Sequence, residues 1–150
     1  MSKETKIMGI LNVTPDSFFD SFNHSDVTCN NNQKILDDLS YSDIIDVGAE
    51  SSRPGANPIS VDEEIRRIEL IIPFLDRFKD KKLSIDTYNY KTAKFALSNN
   101  FSIINDITGG QDRRILELVS SCDSKIVLMH MQGNPKNMQL NPKYKNVILD

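Results

Sequence analysis

The chain has 150 residues, 39% hydrophobic and 26% charged, with a formal net charge of -3, the composition of one ordinary soluble domain. Lys and Arg are scattered, not gathered into a basic stripe, which argues against a nucleic-acid surface, and no apolar run approaches the ~20 residues that span a bilayer. The N-terminal MSKETKIMG lacks the apolar region of a signal peptide, so the cytoplasm is the expected location, and the isolated Cys29 and Cys122 lie outside any metal-ligand spacing and read as plain thiols.

The first predicted element is the apolar run from Met8 to Leu11, a short buried strand that ends at Asn12, because Pro15 cannot belong to a central strand. A helix follows over NQKILDDLSY. The second strand, DIIDV, runs into the polar loop GAESSRPGANP. Next comes the clearest helix, SVDEEIRRIELIIPFLDRF, where Ser60 and Glu63 form a capping box and Val61, Ile65, Ile68, Ile72 and Leu75 make one apolar stripe. Pro73 is expected to kink it. The strand KLSID ends at Asp86 and precedes the helix YKTAKFALSN. The strand FSIIN ends at Asn105 with Asp106 and precedes the helix DRRILELVSS. The last strand, KIVLM, ends at His130, and NPKYKNVILD reads as a further helix that is just beginning.

Strand and helix alternate, which implies parallel strands with covering helices. No linker or composition break divides the chain, so residues 1–150 are read as part of a single domain with no second one. Every predicted strand ends on polar residues. An open flavodoxin-like sheet needs such residues mainly at its switch point, whereas in a barrel every strand contributes to one mouth. The pattern therefore favours part of a TIM (β/α)8 barrel, about its first five β/α units, over a complete open sheet.

Five motifs, GILNVTPDSF, DIIDVGAESSRPGA, SIDT, IINDITGG and VLMHMQGNPKNMQ, carry a resemblance. In this order and at these strand ends the chain resembles the dihydropteroate synthases, over essentially its whole length. That family joins 4-aminobenzoate to 6-hydroxymethyl-7,8-dihydropterin pyrophosphate, giving 7,8-dihydropteroate and pyrophosphate on the route to folate. The resemblance implies a (β/α)8 barrel of the pterin-binding type, a Mg2+ cofactor and, for the whole enzyme, a homodimer. A non-catalytic remnant or pterin-binding fragment stays open as an alternative. A pterin-dependent methyltransferase domain fits the ESSRPG and MHMQG loops less well.

By the same resemblance, Asn12 helps to hold Mg2+ and the leaving pyrophosphate, a role suited to a neutral oxygen beside a crowded anion. The loop after it would be a lid in which Phe18, with Phe19, covers the reacting carbon. Asp86 and Asn105 would read the pterin edge, a carboxylate accepting from two donors while an amide both donates and accepts. Thr87 and Asp106, one position along, are expected to be structural. Ser52 and Arg53 would meet a phosphate and the carboxylated second substrate. His130 is expected to be structural or a pocket wall, because departure of pyrophosphate drives the reaction. Three features depart from the family pattern: Ala49 replaces a glycine, Ser52 a threonine, and Ser21 with Phe22 a usual glycine pair. The family's later pterin-binding Asp, its Ser-Arg-Lys lysine and its Arg-x-His are not in this chain, so the 150 residues alone are expected to be inactive.

Overall fold

The computed structural model describes residues 4–14, 30–50, 58–133, 137–138 and 140–149. Strands β1 (Met8–Asn12), β2 (Ile44–Gly48), β3 (Lys82–Asp86), β4 (Phe101–Asp106) and β5 (Lys125–Leu128) alternate with helices α1 (Asn30–Ser40), α2 (Val61–Leu75), α3 (Tyr90–Leu97) and α4 (Arg113–Ser121). All five strands lie parallel in one sheet, in the order β1-β2-β3-β4-β5.

That order separates the two folds left open by the alternation. A doubly wound sheet must reverse its strand order at a switch point, and this sheet has no reversal. Right-handed crossovers between successive neighbours place every helix on the same face. The packing agrees. Leu39 of α1, Ile68 and Ile71 of α2, Ala93 and Ala96 of α3 and Ile115 of α4 share one core with Ile45, Val47, Ile85 and Ile104 of the sheet. The alternate strand residues face the other way, and there Ile10 is 69% exposed and Val127 42%. This is the single winding of a barrel wall.

Helix α2 begins as its sequence suggests, with the Ser60 side chain accepting from the Glu63 amide at 3.2 Å. The reciprocal half of the box is replaced, because the Glu63 carboxylate is taken by Arg66 and Arg67. The helix passes through Pro73 and tightens into a 3-10 turn at Asp76–Phe78. Its buried face holds Glu64, Ile68, Ile71, Phe74 and Leu75, while Ile65 and Ile72 are only partly covered, so the stripe is rotated from the expected one. The rotation follows from Glu64, which apolar periodicity would place outside yet which is buried against polar partners. The expected closing helix is also corrected. Residues 147–149 form a turn in which Asn146 accepts from the amides of Ile148 and Leu149. Among the described residues no helix is long and apolar enough to cross a membrane.

Candidate active site

Parallel register places Asn12, Gly48, Asp86 and Asn105 side by side across β1 to β4, in one row at the carboxyl end of the sheet. Residues opposite one another in register share a face, so Asn12, Asp86 and Asn105, three of the residues singled out in the sequence, meet on the face away from the helices. The row is held past the strand ends, where the Val13 amide donates to the Gly48 carbonyl at 2.7 Å and the Thr87 amide to the Asn105 carbonyl at 3.1 Å. Gly48 has a steric reason. A Cβ there would stand 3.3 Å from Asn12 Oδ1 and 3.5 Å from Asp86 Oδ2, so glycine leaves the gap between those two side chains open.

Asp86 is the electrostatic centre. Burial, then the nearby carboxylates of Asp46, Glu64, Glu50 and Asp106, push its carboxyl up to about 7. It does not cap α3, whose N-cap is Asn89. Asn105 does not close a turn either, since its Nδ2 donates to Asp46 Oδ2 at 2.9 Å. Asp46 stands two residues before Gly48 on the same face of β2, and sequence reading missed it. The signal was a charge in the middle of the apolar run DIIDV.

Glu64 was also missed. It is 2% exposed, and its carboxylate accepts from Thr87 Oγ1 at 2.6 Å, Asn89 Nδ2 at 2.8 Å and Thr92 Oγ1 at 2.6 Å. It thereby ties α2 to the β3–α3 turn directly behind Asp86. Glu50, which accepts from the Tyr88 hydroxyl at 3.1 Å, joins Glu64, Asp86 and Ile107 around a small cavity of about 30 Å³. Glu64→Ala is expected to leave three donors without their acceptor and to destabilise the fold by on the order of 3 kcal/mol. Urea denaturation checks this, and a midpoint equal to that of the parent chain would show that the bracket is dispensable.

Thr87 and Asp106 are structural, as their positions suggested. Thr87 donates to Glu64 and accepts from the Asn89 amide. Asp106 is fully buried and accepts from the Thr108 amide and hydroxyl, both at 2.7 Å, and from the Gly110 amide, which fixes the turn after β4. His130 is exposed, with its ring 5.4 Å from that of Tyr144, and lines a cleft of about 290 Å³ with Thr108, Met129 and Gly133. Phe18, Ser52 and Arg53, with Phe19, Ser21 and Phe22, lie outside the described residues.

Residues 8–150 match the family described as pterin binding enzyme. The chain belongs to that family. It is 38% identical over 144 residues to the dihydropteroate synthase of Escherichia coli strain K12, a match covering 96% of this chain and 51% of the relative. The solved structure of Yersinia pestis dihydropteroate synthase with a sulfonamide drug complex superposes with a TM-score of 0.75 at 38% identity, over 95% of this chain and 52% of the other. That of Burkholderia cenocepacia dihydropteroate synthase complexed with 7,8-dihydropteroate gives 0.72 at 32% identity, over 99% and 49%. The chain spans about half the length of these relatives.

In this member of the pterin binding enzyme family, Ala49 occupies a fully buried core position, and its φ is not among the positive values of the described residues. Its carbonyl accepts from Arg67 Nη1 at 2.9 Å. The freedom of a glycine is therefore not needed at this position.

Proposed function

We propose that this chain supplies the pterin-recognising part of a dihydropteroate synthase, as the first five β/α units of one barrel domain. The observation that carries the reading is the row Asn12, Gly48, Asp86 and Asn105 at the carboxyl end of a singly wound parallel sheet, where barrel enzymes build their sites. Asp86, when ionised, accepts from adjacent N–H donors on the pterin edge, and Asn105 supplies a second polar contact. In the coupling step the aromatic amine nitrogen of 4-aminobenzoate forms a bond to the pterin methylene carbon. The bond from that carbon to pyrophosphate breaks, and the amine proton passes to solvent. By the family resemblance, Ser52 and Arg53 take the phosphate and the second substrate, and Phe18 covers the reacting carbon. The same resemblance supports a homodimer for the whole enzyme, and the N-terminal sequence supports a cytoplasmic location.

Asn12 suits Mg2+ as a single neutral ligand, because its Oδ1 borders the gap that Gly48 leaves at an exposed strand end. Among the described residues no three His, Cys, Asp or Glu side chains form a metal cage. Mg2+ usually keeps several waters and takes substrate phosphates, so one protein oxygen is compatible with it. When bound, the ion neutralises charge on the departing pyrophosphate. The test is calorimetric titration of the chain with 6-hydroxymethyl-7,8-dihydropterin pyrophosphate. Binding should tighten on addition of Mg2+ in the parent chain and lose that dependence in Asn12→Ala. An absence of binding with and without Mg2+ would overturn the reading.

A further inference from the structure

Asp46 sits in the middle of β2 and is 4% exposed, at a place where stability alone would favour an apolar residue like its neighbours Ile45 and Val47. Its register partner in β3 is the fully buried Ser84. The Asn105 amide reaches across β3 to donate from Nδ2 to Asp46 Oδ2 at 2.9 Å. Asp46 Oδ1 and Ser84 Oγ have no hydrogen-bond partner among the described residues, so Asn105 is the only donor found there for this carboxylate.

We propose that Asp46 is a positioning residue that fixes which way the Asn105 amide faces a bound pterin. The inference rests on the pterin reading given above and deepens it. An Asn side chain has two orientations of nearly the same shape and opposite hydrogen-bonding sense. A carboxylate oxygen accepts, so turning the amide over would set Asn105 Oδ1 against Asp46 Oδ2 and leave two acceptors facing each other. With Nδ2 held towards β2, Oδ1 is turned away from Asp46. A ligand lying along the row then meets a fixed acceptor on Asn105 beside the Asp86 carboxylate. A site built this way rejects analogues whose donors and acceptors are exchanged, because a buried polar group would be left unpaired. The acidic residue in mid-strand thus contributes to specificity through Asn105, without touching the ligand.

The substitution Asp46→Asn tests this, since it keeps the shape but allows Asn105 to face either way. Titration of 6-hydroxymethyl-7,8-dihydropterin into the parent chain, Asp46→Asn, Asn105→Ala and the double variant should show each single change weakening affinity by roughly tenfold. The double variant should be within about twofold of Asn105→Ala, because a residue acting through Asn105 has nothing left to orient. Losses that multiply in the double variant, or no loss in Asp46→Asn, would overturn the proposal. The second measurement needs no ligand. The Asn105 side-chain amide resonances, assigned by their disappearance in Asn105→Ala, should exchange with solvent more slowly than exposed Asn amides in the parent chain and lose that protection in Asp46→Asn. Equal protection in the two proteins would overturn it even if no pterin binds, in which case the pterin reading has failed separately. Circular dichroism of Asp46→Asn checks that it keeps the parent fold. If it does not, Asp46→Ser, which retains a small acceptor, replaces it in both measurements under the same criteria.

Discussion

Asp86→Asn is expected to abolish pterin binding while making the fold more stable at pH 8. The carboxyl is held up to about 7, first by burial and then by Asp46, Glu64, Glu50 and Asp106. The empty site therefore carries the cost of a poorly solvated charge at high pH, a cost that a ligand presenting two N–H donors would offset. Because only the ionised form accepts both donors, pterin affinity should fall as pH drops below about 7, approaching tenfold per unit. Stability should move in the opposite sense. The folded carboxyl titrates near 7 and an unfolded one near 3.8, so between those values the folded state holds a proton that the unfolded state has released. The contribution of Asp86 is greatest below about pH 4 and declines as pH rises towards 7. That shift is worth on the order of 4 kcal/mol. Thermal unfolding from pH 4 to 8 should show Asp86→Asn gaining on the parent chain across that window. A difference that stays flat with pH, or a pterin affinity unchanged by the substitution, would remove Asp86 from its assigned role.

The sequence carried the five strands and their parallel arrangement, because short apolar runs separated by helical spacing leave few alternatives. It also carried Asn12, Asp86 and Asn105, because polar residues that end apolar strands advertise a sheet edge. What it could not carry was register. Only the alignment of Gly48 with both Asn12 and Asp86 reveals why a glycine stands there. Asp46 and Glu64 were passed over for a related reason. Each is a carboxylate inside an apolar pattern, and its partners, Asn105 for one and Thr87, Asn89 and Thr92 for the other, lie between 23 and 59 positions away. Local periodicity reads such residues as solvated. The misplaced α2 stripe is the same error, since counting Glu64 as exposed turned the predicted face away from Ile71 and Phe74.

Residues 1–150, purified on their own, are expected to associate and to form dihydropteroate at no ordinary enzyme rate. In the described sheet β1 pairs only with β2, and β5 only with β4, so each has an outer edge of backbone groups that a closed barrel would pair. The face opposite the helices presents Ile10, and near the end of the described chain Leu140, Val147, Ile148 and Leu149 are exposed. Together these favour contact between copies. Catalysis should fail for a separate reason. The solved relatives are about twice as long, and the resemblance assigns to their later strands cationic groups that would steady departing pyrophosphate. Loss of one such electrostatic contact commonly costs about 10²–10³ in rate, and several would be missing together. Asp86 and Asn105 remain, so weak pterin affinity should survive where turnover does not. Sedimentation of the purified chain, its cooperative unfolding by circular dichroism, and a coupled assay with Mg2+ and both substrates decide the matter. A sharply melting monomer with ordinary turnover would show that the row at this sheet edge needs neither closure nor the remaining cations.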